Sequence, residues 1–252
     1  MQSSNANGFT GLLGRAVLAI WSDADPEHED EFNRWYTHQH LPERVCVPGF
    51  RRGRRYRKDG PGALRYFTLY ETDNAGVLAS QPYLDRLNDP TEWTRKVMPY
   101  FTGGGRRAVM TVTSTAGAGA GGAAATIEFG VAGGREAELR EWLARAGQAE
   151  LDAARSLIGW HLCEPDEAVT RAKAGTAEAR AARPAGETAP PAGTAARPAP
   201  PAAARWMLLA EATGTDGLDA GARLLLGSAG LAAHGAVDVG EPHSYRLMCA
   251  LS

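Results

Sequence analysis

From Asp25 to Tyr56 the chain reads DPEHEDEFNRWYTHQHLPERVCVPGFRRGRRY, and no other stretch restricts its fold as tightly. Asp23 and Asp25 can accept the free N–H groups of a helix start, and Pro26 suits the first turn. Glu27, Glu29 and Glu31 then sit near the positive end of the helix dipole. Phe32, Trp35 and Tyr36 recur at i, i+3 and i+4, which gives the helix one apolar face. Pro42 ends or kinks it near His40 and Leu41. Val47-Pro48-Gly49 makes a turn, and residues 50–57 read as a strand. The short apolar run 15–22 (RAVLAIWS) is a strand on the other side. The unit is therefore strand, helix, strand.

The order continues in the same manner. Residues 58–62 (KDGPG) make a hairpin turn to a partner strand at 64–71. A second helical region, broken at Asp89-Pro90, covers about 75–100, and RRAVMTVTS at 106–114 is a fourth strand. This β-α-β-β-α-β order is the ferredoxin-like unit. Its sheet carries helices on one face only, so the other face needs a cover, usually a second copy. The same order of elements recurs after a small-residue stretch (STAGAGAGGAAA), in strands near 126–131, 159–164, 205–213 and 244–251. The expected fold class is α+β, with two tandem ferredoxin-like units. One spans 14–115, a linker 116–125, and the second 126–252. Residues 166–204, dominated by Ala, Pro, Gly, Arg and Thr, have too little apolar surface to offset ordering entropy and are expected to be a disordered surface insertion.

Composition excludes several function classes. Lys and Arg number 27 against 29 Asp and Glu, which gives no pull toward nucleic acid or anionic membrane. The three cysteines are scattered without a CxxC pair, which speaks against structural zinc or a disulfide framework and fits a reducing cytosol. No basic head with an apolar core marks a signal peptide, and no apolar run approaches bilayer length. A cytoplasmic location is expected. Gly103-Gly104-Gly105 and the glycines of 117–122 match neither a phosphate-binding loop nor a dinucleotide fingerprint.

The residues EFNRWYTHQHLPERVCVPGFRRGRRY followed by LRYFTLYET resemble the dimeric α/β-barrel superfamily, near its EthD-like and muconolactone-isomerase-like relatives. The shared pattern is a helix with an aromatic pair, a His-Leu-Pro turn, a Pro-Gly-Phe strand start and an Arg-Tyr. It covers about residues 15–115; the second half follows by element order alone and lacks His-Leu-Pro. The resemblance implies two ferredoxin-like units closing a barrel whose interior is the site, here an intrachain dimeric α/β-barrel.

Within that frame His40 is the candidate general acid/base, an imidazole held partly desolvated at the helix end. Tyr66 and Tyr70 share one strand face. If Phe67 and Leu69 pack under the helices, these tyrosines point into the barrel and can polarise a carbonyl or enolate oxygen. Residues 51–57 divide five arginines between two faces, with Arg52, Arg54 and Tyr56 opposite Arg51, Arg55 and Arg57. Arg55 is the candidate anchor for negative charge, and Trp35, Tyr36 and Tyr56 are further substrate contacts. No metal site is expected, because His38 and His40 lack a third ligand. The expected activity is cofactor-independent proton transfer, in isomerisation, elimination or cyclisation, on a small aromatic or lactone-like molecule. A cofactor-free monooxygenase and a non-catalytic binding barrel are the alternatives. The expected partner is a small-molecule substrate, with no nucleic acid and no membrane; a homodimer stays open.

Overall fold

The computed structural model describes residues 11–117, 119–154, 156–173, 205–222 and 225–252. Among these residues nine strands form: β1 (Ala16–Ala24), β2 (Phe50–Arg57), β3 (Tyr66–Thr72), β4 (Phe101–Gly117), β5 (Ala123–Val131), β6 (Leu157–Pro165), β7 (Trp206–Ala212), β8 (Ala236–Val237) and β9 (His243–Leu251). Their hydrogen-bonded order is β7-β6-β4-β1-β3-β2-β9-β5, and β7 pairs again with β5. That last pairing closes an eight-stranded antiparallel barrel, leaving β8 as a short extension on β5. The first half has the order β4-β1-β3-β2. In the second half β5, β6, β7 and β9 take the same four places, giving β9-β5-β7-β6. The two ferredoxin-like sheets meet along β2–β9 and β4–β6, so closure leaves no edge among these strands.

Helices cover the outside. In the first half they are α1 (Glu29–Trp35), a π-helical turn (Tyr36–His40), α2 (Leu41–Val45), α3 (Gln81–Asn88) and α4 (Glu92–Val97). The second half carries α5 (Glu136–Ala153), α6 (Glu167–Lys173) and two short helices, Thr215–Gly221 and Ser228–Ala233. Asp25 accepts from the Glu27 N–H at 3.0 Å, as its place before Pro26 suggests. Asp23 instead accepts from the N–H groups of Leu64 and Arg65 at 2.8 and 2.7 Å, tying down the β2–β3 connection.

Pro42 does not end the helix. The Leu41 N–H reaches back five residues to the Tyr36 carbonyl, opening one wide turn. Pro42 then falls in the first turn of α2, where its missing N–H costs little. The connection between the halves is shorter than the expected linker of 116–125. β4 runs to Gly117 and β5 begins at Ala123, where Ala123, Ala124 and Ala125 are fully buried. Small residues are needed at this crossing: a Cβ on Gly121 would lie 2.4 Å from the Ala212 carbonyl oxygen. The stretch expected to be a disordered insertion opens as helix α6. The Asp166 N–H donates to the Val109 carbonyl at 2.8 Å, and Val169 packs on the core cluster that contains Leu18 and Tyr70. Residues 174–204 lie outside the described residues.

The barrel interior is filled. Val17, Ala19, Trp21, Tyr56, Phe67 and Leu69 meet Met207, Leu209 and Tyr245 from the other half. One end is closed by buried ions. Arg54 donates from both Nη atoms to Glu211, at 2.6 and 2.9 Å, and from Nε to Glu71 at 3.0 Å. Arg52 donates to the same Glu71 at 2.8 Å. Glu71 and Glu211 also accept from the backbone N–H groups of Leu13 and Gly121, while His161 Nε2 stands 3.2 Å from Glu211. Two guanidinium groups thus face two carboxylates. Burial pushes the Glu211 carboxyl up, but the His161 and Arg54 contacts outweigh it and hold it at about 2. Among the described residues no helix is long and apolar enough to cross a membrane.

Candidate functional site

The strand faces decide where a site can be, and they run opposite to the arrangement that would aim Tyr66 and Tyr70 into the barrel. Phe67 and Leu69 turn inward, with Phe67 against Trp21 and Tyr245 at 5.3 and 5.5 Å. Tyr66 and Tyr70 turn outward, beneath the helices. Tyr66 finds polar partners in that layer, where its Oη donates to Glu29 and accepts from Asn33 Nδ2. The barrel interior, which the superfamily resemblance implies as the site, is occupied by side chains.

The described cavity lies instead between this helix layer and the outer face of β1, β3 and β4. It holds about 20 Å³, room for about one water molecule. His40 stands in its wall on the π-helical turn, 4% exposed. The ring packs against Trp35 at 4.3 Å and edge-on to Tyr36 at 4.9 Å. Trp35 is itself fixed by its Nε1, which donates to Thr94 Oγ1 at 3.2 Å. Single π turns inside α-helices often mark functional sites. On this turn Tyr36 and His40, four residues apart, both line one cavity while Trp35 supports the imidazole from behind.

The lining also includes Tyr70 of β3, Tyr83 of α3 and two arginines, Arg44 of α2 and Arg107 of β4. Leu18, Ile20, Met98 and Phe101 supply the apolar wall. Gly53 makes the close approach possible: a Cβ there would lie 2.7 Å from Leu41 and 3.2 Å from the Tyr70 ring. Most of the lining is buried; Ile20, Phe101 and Arg107 are half-buried and form the side that faces solvent. Ile20 and Arg107 are paired neighbours in the β1–β4 register.

The electrostatics are one-sided, since no lining residue is acidic. The His40 imidazole is held well below its ordinary range, first by burial and then by the charges of Arg44, Arg107 and Arg55. It is neutral at ordinary pH, and its Nδ1 is sealed from solvent without a hydrogen-bond partner. Burial raises the Tyr70 hydroxyl well above its usual value, so this group stays a proton donor. Arg107 makes no side-chain hydrogen bond or ion pair with a described residue.

Arg55 is buried behind the cavity. Its guanidinium carbon lies 4.3 Å from the Tyr36 ring centre and 4.4 Å from that of Tyr66. Nε, Nη1 and Nη2 are all buried without a hydrogen-bond partner, and burial lowers the pKa of the group. Tyr36 thus has contacts on both sides, lining the cavity and stacking on Arg55.

Of the residues singled out from sequence, His40, Tyr36 and Tyr70 share the cavity. Trp35 and Arg55 support it from behind, and Tyr66 stacks on Arg55 without reaching it. Tyr56 is not part of this site: it lies inside the barrel, 5.7 Å from Phe67 and beneath Arg54. Sequence reasoning missed Arg44, Arg107 and Tyr83. Arg44 carried a signal, standing four residues after His40 and so on the same helical face. Arg107 and Tyr83 come into place only through strand register and the packing of α3. In the second half the layer between α5 and the sheet is filled by Trp160, pressed so tightly that a Cβ on Gly147 would lie 2.2 Å from the indole. Among the described residues no group of three or more His, Cys, Asp or Glu side chains could hold a metal ion.

No family model and no curated protein matches the sequence. Solved structures do match over nearly the whole length. An anthrone oxidase-like protein superposes with a TM-score of 0.59 at 13% identity, covering 94% of this chain and 92% of its own. A candidate monooxygenase from Fusobacterium nucleatum subsp. nucleatum ATCC 25586 gives 0.57 at 8% identity, covering 95% of each chain. Another from Lactobacillus acidophilus NCFM gives 0.56 at 7%, covering 94% of this chain and 96% of its own. At these identities the likeness is one of fold. The chain has the dimeric α/β-barrel fold, with both ferredoxin-like units supplied by a single polypeptide.

Proposed function

We propose that the chain is a cofactor-free oxygenase acting on a small, weakly acidic and partly aromatic molecule, with His40 as the base that starts the reaction. The observation that carries this reading is the neutral, sealed imidazole beside a cavity whose other polar groups are arginines and tyrosines. With its proton on Nε2, His40 has Nδ1 free to take a proton from an acidic C–H or O–H. Removing that proton leaves an enolate or phenolate. Arg44 and Arg107 stabilise the new charge, and the protonated Tyr70 can donate to the oxygen. The arginines that add to burial in keeping His40 neutral are thus also the groups that favour the substrate anion.

An electron-rich carbanion or enolate of this kind reacts with dioxygen directly. When a methylene becomes a carbonyl, one dioxygen is consumed and one water leaves, so the substrate supplies the electrons and no external reductant is required. The names of the anthrone oxidase-like and monooxygenase neighbours support oxygenation over isomerisation as the fate of the anion. The test is an oxygen electrode with purified protein, no added flavin or metal, and substrates bearing an acidified benzylic methylene such as anthrone. Oxygen uptake matched to carbonyl product, abolished in His40→Gln, is expected. Product without oxygen uptake would move the chemistry to isomerisation, elimination or cyclisation. Saturable binding with no product would make the barrel a binding protein.

A further inference from the structure

We infer that the cavity is built to hold an organic anion, a planar aromatic or enolic body ending in a carboxylate or phenolate, and that Arg107 is the residue that selects it. This deepens the proposed function and rests on the same cavity, but it concerns recognition of the ligand's resting charge and not the proton transfer.

Arg107 is the first ground. It stands on the half-buried, solvent-facing side of the cavity beside Ile20 and Phe101, and it has neither a carboxylate nor a carbonyl partner among the described residues. Several arginines elsewhere in this half are paired. Arg52 and Arg54 bond to Glu71, Arg65 to Glu29 and Arg51 to Asp73. The chain therefore provides acids for these four arginines and none among the described residues for Arg107.

Arg55 supplies an independent second ground. A fully buried guanidinium with no bond from any of its three nitrogens is an expensive group to retain. Stacking on Tyr36 and Tyr66 offsets only part of that cost. Its field is felt through Tyr36, which lines the cavity. An anion placed against Arg107 would have this second positive charge behind it, with no acidic lining group in opposition. The apolar remainder of the wall, Leu18, Met98 and Phe101, suits a flat hydrocarbon body. Because the closed cavity has room for little more than a water molecule, such a ligand enters by displacing the half-buried side chains. Arg107 is one of these, so it meets the ligand first.

The test uses the full chain, titrated by calorimetry with benzoate and with benzyl alcohol as its neutral counterpart. Benzoate should bind more tightly, and Arg107→Gln should weaken benzoate by about 10- to 100-fold, as expected for loss of a charge-assisted bond. Benzyl alcohol should be unaffected by the substitution. Arg107→Lys, which keeps the charge, should recover part of the loss, and far-UV circular dichroism should show both variants folded. Equal affinity for the two probes, no benzoate binding, or an unchanged benzoate constant in Arg107→Gln would each overturn the inference. The oxygen assay separates this from the catalytic reading. Arg107-dependent benzoate binding without oxygen uptake on any substrate leaves the anion site standing and removes the oxygenase. Oxygen uptake by a protein that does not bind benzoate, and whose turnover benzoate does not inhibit, does the reverse.

Discussion

Replacing Glu211 by glutamine tests how the two halves are locked together. Glu211 belongs to the second unit and accepts two bonds from Arg54 of the first, at 2.6 and 2.9 Å, with both side chains fully buried. The substitution keeps the shape and can keep the acceptor for the Gly121 N–H. It leaves Arg52 and Arg54 sharing the single charge of Glu71. Breaking a buried pair by removing one partner costs about 3–5 kcal/mol. The carboxyl itself gives a comparable figure. Lowering it from 4.5 to about 2 on folding corresponds to roughly 3 kcal/mol. With domains of this kind stable by about 5–15 kcal/mol, Glu211→Gln should move the urea midpoint well down with little change in slope, read by circular dichroism and by tryptophan fluorescence. The double variant Arg54→Met with Glu211→Leu removes both charges and leaves Arg52 balanced by Glu71, so it should lose less than either single variant. A Glu211→Gln loss below about 1 kcal/mol, or a double-variant loss equal to the sum of the singles, would refute the reasoning.

The remaining predictions concern the site and the helix layer. His40→Gln should lower turnover by about 10²- to 10⁴-fold while leaving the circular dichroism spectrum intact. Because His40 is held neutral well below 6.5, activity should stay level as pH falls from 8 through 6.5, and a half-maximal point near 6.5 would contradict this. The same group affects stability with a defined sign. Below 6.5 the unfolded chain takes up a proton that the folded chain refuses, so His40 makes unfolding easier as pH falls, by up to about 1.4 kcal/mol per pH unit; His40→Phe should flatten that slope in urea titrations at several pH values. Glu211 adds its own loss only in stronger acid, as pH drops from 4.5 toward 2. Gly147→Ala should cost about 1–3 kcal/mol by overpacking against Trp160, whereas Gly134→Ala, where nothing lies within 4 Å but φ is +84°, measures backbone strain alone.

Local signals in the chain were strong enough to place most elements but not to say which way they face. The Asp25-Pro26 start, the break at Asp89-Pro90 and the glycine-rich hairpin at 58–62 are set by backbone chemistry within a few residues, and all three appear in the structure. The sidedness of β3 could not be read in that way. Tyr66, Phe67, Thr68, Leu69 and Tyr70 are all buried, so alternation carries no polar-out signal, and tertiary partners decided the facing. The site divides along the same line. His40 and Tyr36 lie four residues apart on one helix and were found together, although the π turn that joins them has no local sequence signature. Arg107 and Tyr83 depend on register and on α3 docking over more than forty residues of chain. The alanines at 123–125 misled because small residues mark flexible linkers in isolation and crowded strand crossings in a barrel.

Carrying both halves of the barrel on one chain has a consequence for stoichiometry. A ring assembled from two separate copies comes apart on dilution and presents its sites in identical pairs. Here the halves are tethered, so the ring stays closed at any protein concentration, and nothing obliges them to match. With an imidazole facing a hollow on one side and an indole filling the equivalent space on the other, saturation should stop at one ligand per polypeptide.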